Sequence, residues 1–478
     1  MAFLERNANR GSVSTGYDVD NSVKLEPDNS EYFQRAATGS DGSLTTWTFS
    51  LWLKRTELSH ACIFYSQGGN GRVRFESDDT FSFRYKSGHE FTTTRRFRDC
   101  ASWYHIVIAV DTTQSTASNR IKIYINGVQE TMSGTQPDQN ETSDFGEFGS
   151  ITAQLGQFTE GSYYFSGYMT EFYWIDGIQQ LPTKFGTFDS DSNIWKPIEY
   201  TGSFGNEGAY LDFEDASQLG KDVSGNGNHY TEQAITSIDQ ATDTCTNNFC
   251  TMNHTHRTNG NIRCPEGGTK VETDGGSGYC SIVGTMGMSK GKWYWEVKFH
   301  NHSGNTNTVF LGLVAANDPW IPSRQGGYYL GNIATHGNTG WYFVNGAVYN
   351  GSGTWTDDAG NGPGYGDILM VAYDADNTTL YFGKNGTWLN SSNPANNSNG
   401  IELSAYYWSA DPTYVDYAFP AVTVYQGNYV RSFNFGSICT WDSQISSGNA
   451  DADGYGNFEY APPSGFYSLC SKNLAEHG

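Results

Sequence analysis

The spacing of the acidic residues is informative, because two carboxylates on one face of a strand could hydrolyse a glycosidic bond. Glu171 and Asp176 are five residues apart, and so are Asp411 and Asp416. Side chains alternate between the two faces of a regular strand, so each pair is expected to point to opposite faces. The chain contains neither Gly-x-Ser-x-Gly nor His-Glu-x-x-His. We therefore predict that the protein is not an enzyme.

A third acidic group, Glu76, Asp78 and Asp79, lies in the string FESDDTF. Such strings are typical of hairpin tips, where Asp accepts hydrogen bonds from the turn backbone. A structural calcium ion is an alternative, because calcium binds carboxylate and carbonyl oxygens. The loops at 77–79 and 189–191 could hold one. Ordinary turn chemistry is favoured, and no other cofactor is expected.

Four of the eight cysteines cluster with two histidines: Cys245, Cys250, Cys264, Cys280, His254 and His256. Both residue types bind zinc, but Cys-x4-Cys is a wide spacing and His-x-His a narrow one for such a site. Disulfides are a second alternative if the protein meets an oxidising medium. Unpaired thiols are favoured over both. Cys62 and Cys100 flank predicted strands and are expected to pack in a core.

Aromatic side chains interleaved with Gly and Asn are the candidates for ligand contact. Trp and Tyr supply large, rigid surfaces that favour binding clusters. Trp341 and Tyr342 are neighbours in a predicted strand, so at least one is expected in the core. The residues predicted to bind a receptor or glycan are Trp320, Arg324, Tyr328, Tyr329, Tyr349 and Trp355.

Two segments that are far apart in the sequence share one pattern. This pattern predicts the strands and turns that position the residues described above. In 103–129 and in 367–388, an apolar strand ends in Asp, a polar turn follows, and an aromatic strand leads into Asn-Gly. Asn-Gly favours a two-residue hairpin turn, because both residues accept positive φ. The repeated hairpin predicts two β-sandwich domains.

Composition supports this prediction and excludes some functions. Aromatic residues make up 15% of the 478 residues, beside 56 glycines. Aromatic residues suit strands and glycine suits turns, so we expect a nearly all-β protein. The net charge of −23 argues against nucleic-acid binding, which needs basic patches. The longest apolar run, near 106–110, is too short for membrane insertion, and the first residues lack the pattern of a signal peptide.

We predict five parts. These are a polar arm at 1–16, a sandwich at 17–197, an irregular Cys-containing connector at 198–284, a second sandwich at 285–440 and a tail at 441–478. Short strand candidates separated by turn signals favour antiparallel sandwiches or jelly rolls in both domains. The two prolines of EYAPPSGFYSLC exclude a central strand in the tail.

Several strings resemble known families. The first region resembles laminin G and concanavalin A-like lectin domains in TFSLWLKR, WYHIVIAVD, RIKIYINGVQ and FSGYMTEFYWIDGIQ. The second resembles SPRY domains in KGKWYWEVKF, VFLGLVAA, GDILMVAYDADNTTLYFGKNGTW and RSFNFG. The opening, the middle and the end resemble fibre and receptor-binding proteins of tailed, especially marine, bacteriophages in STGYDVDNSVKLEPDNSEYFQR, TDTCTNNFCTMN and APPSGFYSLCSKNL.

This resemblance implies two concanavalin A-like sandwiches in a virion protein synthesised in the bacterial host cytoplasm. It favours a tail fibre or spike subunit that binds a host-surface glycan or protein. The arm at 1–16 is then expected to dock onto another tail or capsid protein, and a homotrimer is favoured. A capsid decoration or head-fibre protein with a structural role is the alternative, which the shortness of the arm favours somewhat. A glycan depolymerase or free lectin has less support.

Overall fold

The computed structural model describes residues 16–68, 70–158, 161–257, 261–273, 279–303, 309–315, 342–344, 347–349, 354–356, 363–403, 417–425, 428–437, 445 and 447–478. Described residues up to Asn248 form one compact unit, and those from Phe249 onward form a second. Strands dominate both units, which confirms the all-β prediction. None of the described helices has the length and apolarity needed to cross a bilayer.

The strands of the first unit are β1 Ser22–Leu25, β2 Tyr32–Arg35, β3 Thr46–Arg55, β4 Ala61–Gln67, β5 Arg72–Phe75, β6 Thr80–Lys86, β7 His89–Arg96, β8 Tyr104–Asp111, β9 Ile121–Ile125, β10 Val128–Gln129, β11 Met132–Ser133, β12 Thr152–Leu155, β13 Gln157–Phe158, β14 Tyr163–Tyr164, β15 Gly167–Asp176, β16 Gly186–Phe188, β17 Trp195–Pro197, β18 Ala209–Leu211, β19 Thr231–Gln233 and β20 Gln240–Ala241.

The strands of the second unit are β21 Met252–Arg257, β22 Ile262–Arg263, β23 Lys270–Thr273, β24 Tyr279–Gly284, β25 Lys292–Ser303, β26 Val309–Ala315, β27 Tyr342–Val344, β28 Ala347–Tyr349, β29 Thr354–Thr356, β30 Ile368–Asp374, β31 Thr379–Lys384, β32 Thr387–Trp388, β33 Ile401–Glu402, β34 Ala418–Tyr425, β35 Asn428–Asn434 and β36 Tyr467–Ser468. A helix occupies Ser471–His477, and single helical turns occupy Pro27–Asn29, Ala117–Asn119, Pro182–Lys184, Ser237–Asp239, Pro265–Gly268, Leu389–Ser391 and Pro394–Asn396.

Two large sheets face each other in the first unit. Sheet I has the order β10-β9-β8-β3-β15-β1-β20, with β18 also on β15, and sheet II has the order β11-β7-β6-β5-β4-β12-β2-β19. Alternation along β3 sends Trp47, Phe49, Leu51 and Leu53 into the core between them. Trp47 stacks there on Trp174 of β15, with ring centroids 4.8 Å apart.

The outer face of sheet I is covered by the chain that follows β15. Val107 and Tyr173 on this face form a second apolar cluster with Phe185 and Tyr200. Tyr173 also stacks on Tyr210, with centroids 4.3 Å apart. This side of the first sandwich is therefore closed by its own polypeptide.

The second unit repeats the two-sheet arrangement. Sheet III has the order β21-β24-β34-β26, and sheet IV has the order β22-β23-β35-β25-β30-β31-β32, with β33 on β31 and β36 on β25. Trp293 and Trp295 of β25 point into the core. Tyr294 points outward, where Phe458 and Phe466 of the C-terminal strap, defined as residues 447–478, cover it.

The segment predicted as an irregular connector, 198–284, contributes strands to both units. β18 and β19 pair with β15 and β2 of the first unit, whereas β21 and β23 extend sheets III and IV. β18 and β19 have three residues each, β23 has four and β21 has six, and buried side chains order the loops between them. Asp222, for example, accepts hydrogen bonds from the backbone N–H groups of Tyr210, Ser224 and Asn228.

Candidate functional site

The outward side of β5, β6 and β7 in sheet II is polar and partly exposed. Val73, Phe75 and Phe83 point into the core. Alternation therefore sends the intervening side chains outward. We call this surface the arginine face, defined by Arg72, Arg74, Glu76, Ser82, Arg84 and Glu90. Exposed fractions range from 12% for the Arg72 side chain to 31% for Glu90, although Ser82 is buried.

Three guanidinium groups converge on Glu90. Its Oε2 lies 2.8 Å from Nη2 of Arg84. Its Oε1 lies 3.3 Å from Nη2 of Arg72 and 3.6 Å from Nη2 of Arg74. Partial burial opposes ionisation, but the hydrogen bond from Arg84 and the three positive charges lower the pKa of Glu90. Burial and then the charges of Arg74 and Arg84 lower the pKa of Arg72, so the cations crowd one another.

Glu76 contacts Arg74 and Ser82 in the neighbouring part of the arginine face. Its Oε1 lies 2.6 Å from Nε of Arg74 and accepts a hydrogen bond from Oγ of Ser82. Its Oε2 lies 3.4 Å from Nε2 of His60. Burial and then the charge of Arg74 lower the pKa of His60, so its imidazole is mainly neutral at pH 7.

A short aromatic hairpin, β13 and β14, borders the arginine face. Its Tyr163 stacks on His60, with centroids 3.9 Å apart. Its Phe158 packs edge-on against Tyr65 at 4.6 Å, and the Arg72 guanidinium lies 5.9 Å from the Phe158 ring. Aromatic rings beside planar hydrogen-bonding groups form a surface suited to a flat, polyhydroxylated ligand.

Four polar atoms around this hairpin have no hydrogen-bond partner among the described residues. They are Nε of Arg72, Nε of Arg84, Nε2 of His60 and Oε1 of Gln157. Gln157 is only 5% exposed, and its amide nitrogen donates to the hydroxyl of Tyr164 at 2.7 Å. Native proteins leave few buried polar atoms unsatisfied, so this concentration marks an exception.

Glu171, one of the predicted acids, lies instead in sheet I. It occupies a bulge of β15 with φ of 52°, a conformation seldom adopted outside glycine. Its carboxylate accepts hydrogen bonds from the hydroxyls of Tyr17, Tyr173 and Tyr210 at 2.5–2.9 Å. Burial raises the pKa of Glu171.

Asp176 points the other way, as predicted. Tyr173, two residues after Glu171, packs in the outer cluster, whereas Trp174, two before Asp176, packs between the sheets. Asp176 accepts hydrogen bonds from the backbone N–H of Ser43. Glu171 and Asp176 therefore do not share a face. The other predicted pair, Asp411 and Asp416, lies outside the described residues.

One acidic string was missed by the sequence reasoning. Glu26, Asp28 and Glu31 have the spacing Glu-x-Asp-x-x-Glu. On a regular strand, alternation would place Glu26 and Asp28 on one face and Glu31 on the other. The structure instead places a helical turn at Pro27–Asn29. Glu26 accepts from the Asp28 N–H, and Glu31 accepts from the Glu26 N–H. The string therefore stabilises a turn.

Ser50 and His105 form a buried pair that resembles a nucleophile and its base. Oγ of Ser50 lies 2.8 Å from Nε2 of His105, while the indole N–H of Trp195 donates to Nδ1 at 2.9 Å. Since Nδ1 is an acceptor, the neutral ring carries its proton on Nε2 and donates to Ser50. Burial lowers the pKa of His105 to about 3. His105 thus does not act as a base toward Ser50.

The predicted receptor-binding residues are mostly outside the described residues, namely Trp320, Arg324, Tyr328 and Tyr329. Of the others, Tyr349 belongs to β28 and Trp355 belongs to β29, which pair in a three-stranded sheet with β27. Their role as ligand contacts stays a prediction.

The structure brings two of the predicted zinc ligands together and places a cation beside one carboxylate of each calcium candidate. Cys264 Sγ lies 3.8 Å from His254 Nδ1, and none of the seven cysteines among the described residues forms a disulfide. In the calcium candidates, Asp79 pairs with Arg98 at 2.8 Å, and Asp189 pairs with Lys196 at 2.9 Å. A cationic side chain thus lies against each of these two carboxylates.

The signal for the arginine face was present in the strings RVRF and TFSFRYK. Both alternate apolar and polar residues, and arginine stands at the polar positions. The sequence predicts both strands, but it does not show which charged side chains lie beside each other on paired strands. Register supplies that information, because Arg72 pairs with Arg84, and Arg84 with Glu90.

Comparison with known proteins gives one family match, over part of the chain. The model of the concanavalin A-like lectin/glucanases superfamily matches residues 27–177, which include the arginine face. No curated protein sequence matches the chain.

Solved structures give likenesses at low identity. The SPRY domain of human HERC1 is 14% identical with a TM-score of 0.28, covering 38% of this chain and 96% of that one. The TRIM65 PSpry domain is 14% identical with a TM-score of 0.25, covering 39% and 91%. A heptameric SAP-like pentraxin from Limulus polyphemus is 14% identical with a TM-score of 0.26, covering 34% and 80%. The family match alone identifies residues 27–177 of the first sandwich as a region of the concanavalin A-like lectin type, which the sequence resemblance implied.

Proposed function

We propose that this chain is a glycan-binding protein and that the arginine face, with the β13–β14 hairpin, is its binding surface. One observation carries the proposal: guanidinium groups, a histidine and stacked aromatic rings lie together on a partly exposed sheet face. The opposite outer face, on sheet I, is covered by apolar packing. The lectin-type match over the same residues agrees with this assignment.

Binding without turnover is part of the proposal. Glycoside hydrolysis needs a protonated carboxylic acid beside a carboxylate. On the arginine face Glu90 has a lowered pKa, and Glu76 lies 2.6 Å from Arg74. Glu171, whose pKa is raised, is enclosed by tyrosines on a different sheet. These observations favour a binding site over a catalytic one.

A glycan array with matched variants tests the proposal. Tyr163→Ala removes the ring that stacks on His60, and Arg84→Ala removes a cation of the arginine face. Each should weaken binding about tenfold or more, or ~1.4 kcal/mol, with an unchanged Tm. Lys221→Ala is the control, since Lys221 forms an exposed ion pair with Asp215 elsewhere in the unit. Equal binding by all variants, or release of reducing sugar from a bound glycan, would contradict the proposal.

The biological setting proposed here rests on sequence resemblance. It is a virion protein of a tailed bacteriophage, a fibre or spike subunit that binds a host-surface glycan and docks through the arm at 1–16 onto other virion proteins. Mass spectrometry of purified virions should detect the chain, and the purified protein should block phage adsorption in proportion to its dose. Presence in virions without blocking would favour a capsid decoration or head-fibre protein. Absence from virions would favour a free lectin.

A further inference from the structure

We propose that the arginine face selects glycans that carry carboxylate groups, and that Glu90 occupies the position of the ligand's carboxylate. This inference rests on the proposed function and adds the chemical class of the ligand. Glu90 then acts as a competitor within the chain, which an acidic sugar displaces.

The arginines around Glu90 are arranged so that the carboxylate of a ligand could take the place of the Glu90 carboxylate. Arg72, Arg74 and Arg84 direct Nη2 atoms at its two oxygens over 2.8–3.6 Å. Guanidinium groups match carboxylates in shape and charge, and they are weakly hydrated. Glu90 is also the most exposed member of the group, at 31%, so a ligand can approach this position from solvent.

The charge distribution points to the same class of ligand. Residues 72–98 contain seven of the 28 lysines and arginines but only four of the 51 acidic residues of the chain. Four of the seven cations pair with carboxylates outside the arginine face, namely Lys86, Arg95, Arg96 and Arg98. The arginine face itself has three arginines beside Glu76 and Glu90, an excess of one positive charge in a protein whose net charge is −23. Such an acidic protein repels anionic polymers in general, so a basic face focuses an anionic ligand onto one surface.

The stability of the fold does not account for three arginines at this place. Partly exposed ion pairs contribute little, commonly about 0–1 kcal/mol. The three cations share two carboxylates, because Glu76 pairs with Arg74 and Glu90 lies near all three arginines. A further anion would relieve the repulsion among them.

The neighbouring hairpin supplies the remaining contacts for a sugar. Tyr163 presents its ring beside His60, and Oε1 of Gln157 has no hydrogen-bond partner among the described residues. A hydroxyl group is a suitable donor to that oxygen. A uronic-acid residue combines these features, because it has a carboxylate and several hydroxyls on one ring.

The test uses the full chain and three oligouronates of different stereochemistry, each beside its methyl ester. The ester keeps the sugar backbone and removes the charge. Calorimetric titration of the unmodified protein should give, for at least one probe, binding about tenfold tighter to the acid than to the ester. Raising the salt concentration should weaken acid binding and leave ester binding nearly unchanged.

Variants separate the role of Glu90 from general electrostatics. Glu90→Gln should bind the acid about threefold tighter or more, because the competitor has lost its charge. Arg84→Ala should lose the preference for the acid. Glu130→Gln is the matched control, because it removes a carboxylate that lies 3.6 Å from Arg95, outside the arginine face. It should bind as the unmodified protein does.

The possible outcomes distinguish this inference from the proposed function. Binding of neutral glycans that Tyr163→Ala weakens, with no preference for acids, overturns the inference and leaves the proposed function intact. Failure of every acidic and neutral glycan to bind overturns both. If Glu90→Gln does not fold, the acid and ester comparison on the unmodified protein still decides.

Discussion

At the scale of single residues, Gly127 is the position where backbone and packing demands coincide. It completes the two-residue turn between β9 and β10 with φ of 77°, after Asn126 with φ of 49°. A Cβ at Gly127 would lie 2.3 Å from a ring carbon of Trp195. That indole also fixes the tautomer of His105 through its N–H. A larger residue would therefore disturb a buried polar network as well as the turn.

Replacing Gly127 by alanine should destabilise the first unit more than the same change at Gly177. Both glycines have φ near 76°, so both variants incur the left-handed backbone cost of about 1 kcal/mol. At Gly177 no atom lies within 4 Å of the added Cβ, whereas overpacking at Gly127 adds about 1–3 kcal/mol. Urea unfolding measures the difference between the variants. Equal losses would show that Trp195 moves aside without cost.

At the scale of elements, the C-terminal strap is held to sheet IV by a buried carboxylate. Glu296 of β25 accepts hydrogen bonds from the backbone N–H groups of Glu459 and Tyr460 and from the hydroxyl of Tyr294. β36 pairs in parallel with β25 beside it. Burial raises the pKa of Glu296 to about 7, against the hydrogen bonds it accepts. The attachment of the strap is therefore expected to depend on pH.

The second unit should lose stability as the pH rises from 5 to 8. A carboxyl whose pKa is raised by folding stabilises the native state fully below its unfolded pKa near 4.5, and this contribution is lost as the pH passes the folded value. The loss is about 3 kcal/mol at most. Glu296→Gln is expected to be less stable overall, because its amide meets backbone donors, but to lack this pH dependence.

Hydrogen exchange of peptides from the strap, measured at pH 5, 6, 7 and 8 and corrected for intrinsic rates, reports this attachment. Glu402→Gln, at an exposed position of β33, is the control and should follow the unmodified protein. If Glu296→Gln shows the same pH dependence as the unmodified protein, another group controls the strap.

Sequence was informative where a local pattern determines an element. The Asn-Gly turns at 126–127 and 385–386 are confirmed by positive φ and by strand pairing across them. β19 and β20 were not predicted, because they have three and two residues and depend on distant partners. The arginine face was missed for the same reason: the contact between Glu90 and Arg72 follows from the register of three strands.

At the scale of the whole molecule, each unit has its own complete core. Leu53 lies between sheets I and II, and Leu369 lies in the core formed by sheets III and IV, both without exposed surface. Every sheet of more than three strands draws its strands from one unit alone. Each unit should therefore fold from its own segment and unfold in its own transition.

Calorimetry of Leu53→Ala and Leu369→Ala tests this independence. Removing a fully buried leucine costs about 2–5 kcal/mol, because apolar contacts are lost and a cavity remains. Leu53→Ala should lower the temperature of one transition and Leu369→Ala that of the other, each leaving the second transition in place. A single transition that both variants shift equally would mean that the two cores unfold together. Separate transitions would also allow glycan binding, if it is confined to the first sandwich, to raise the melting temperature of that unit alone.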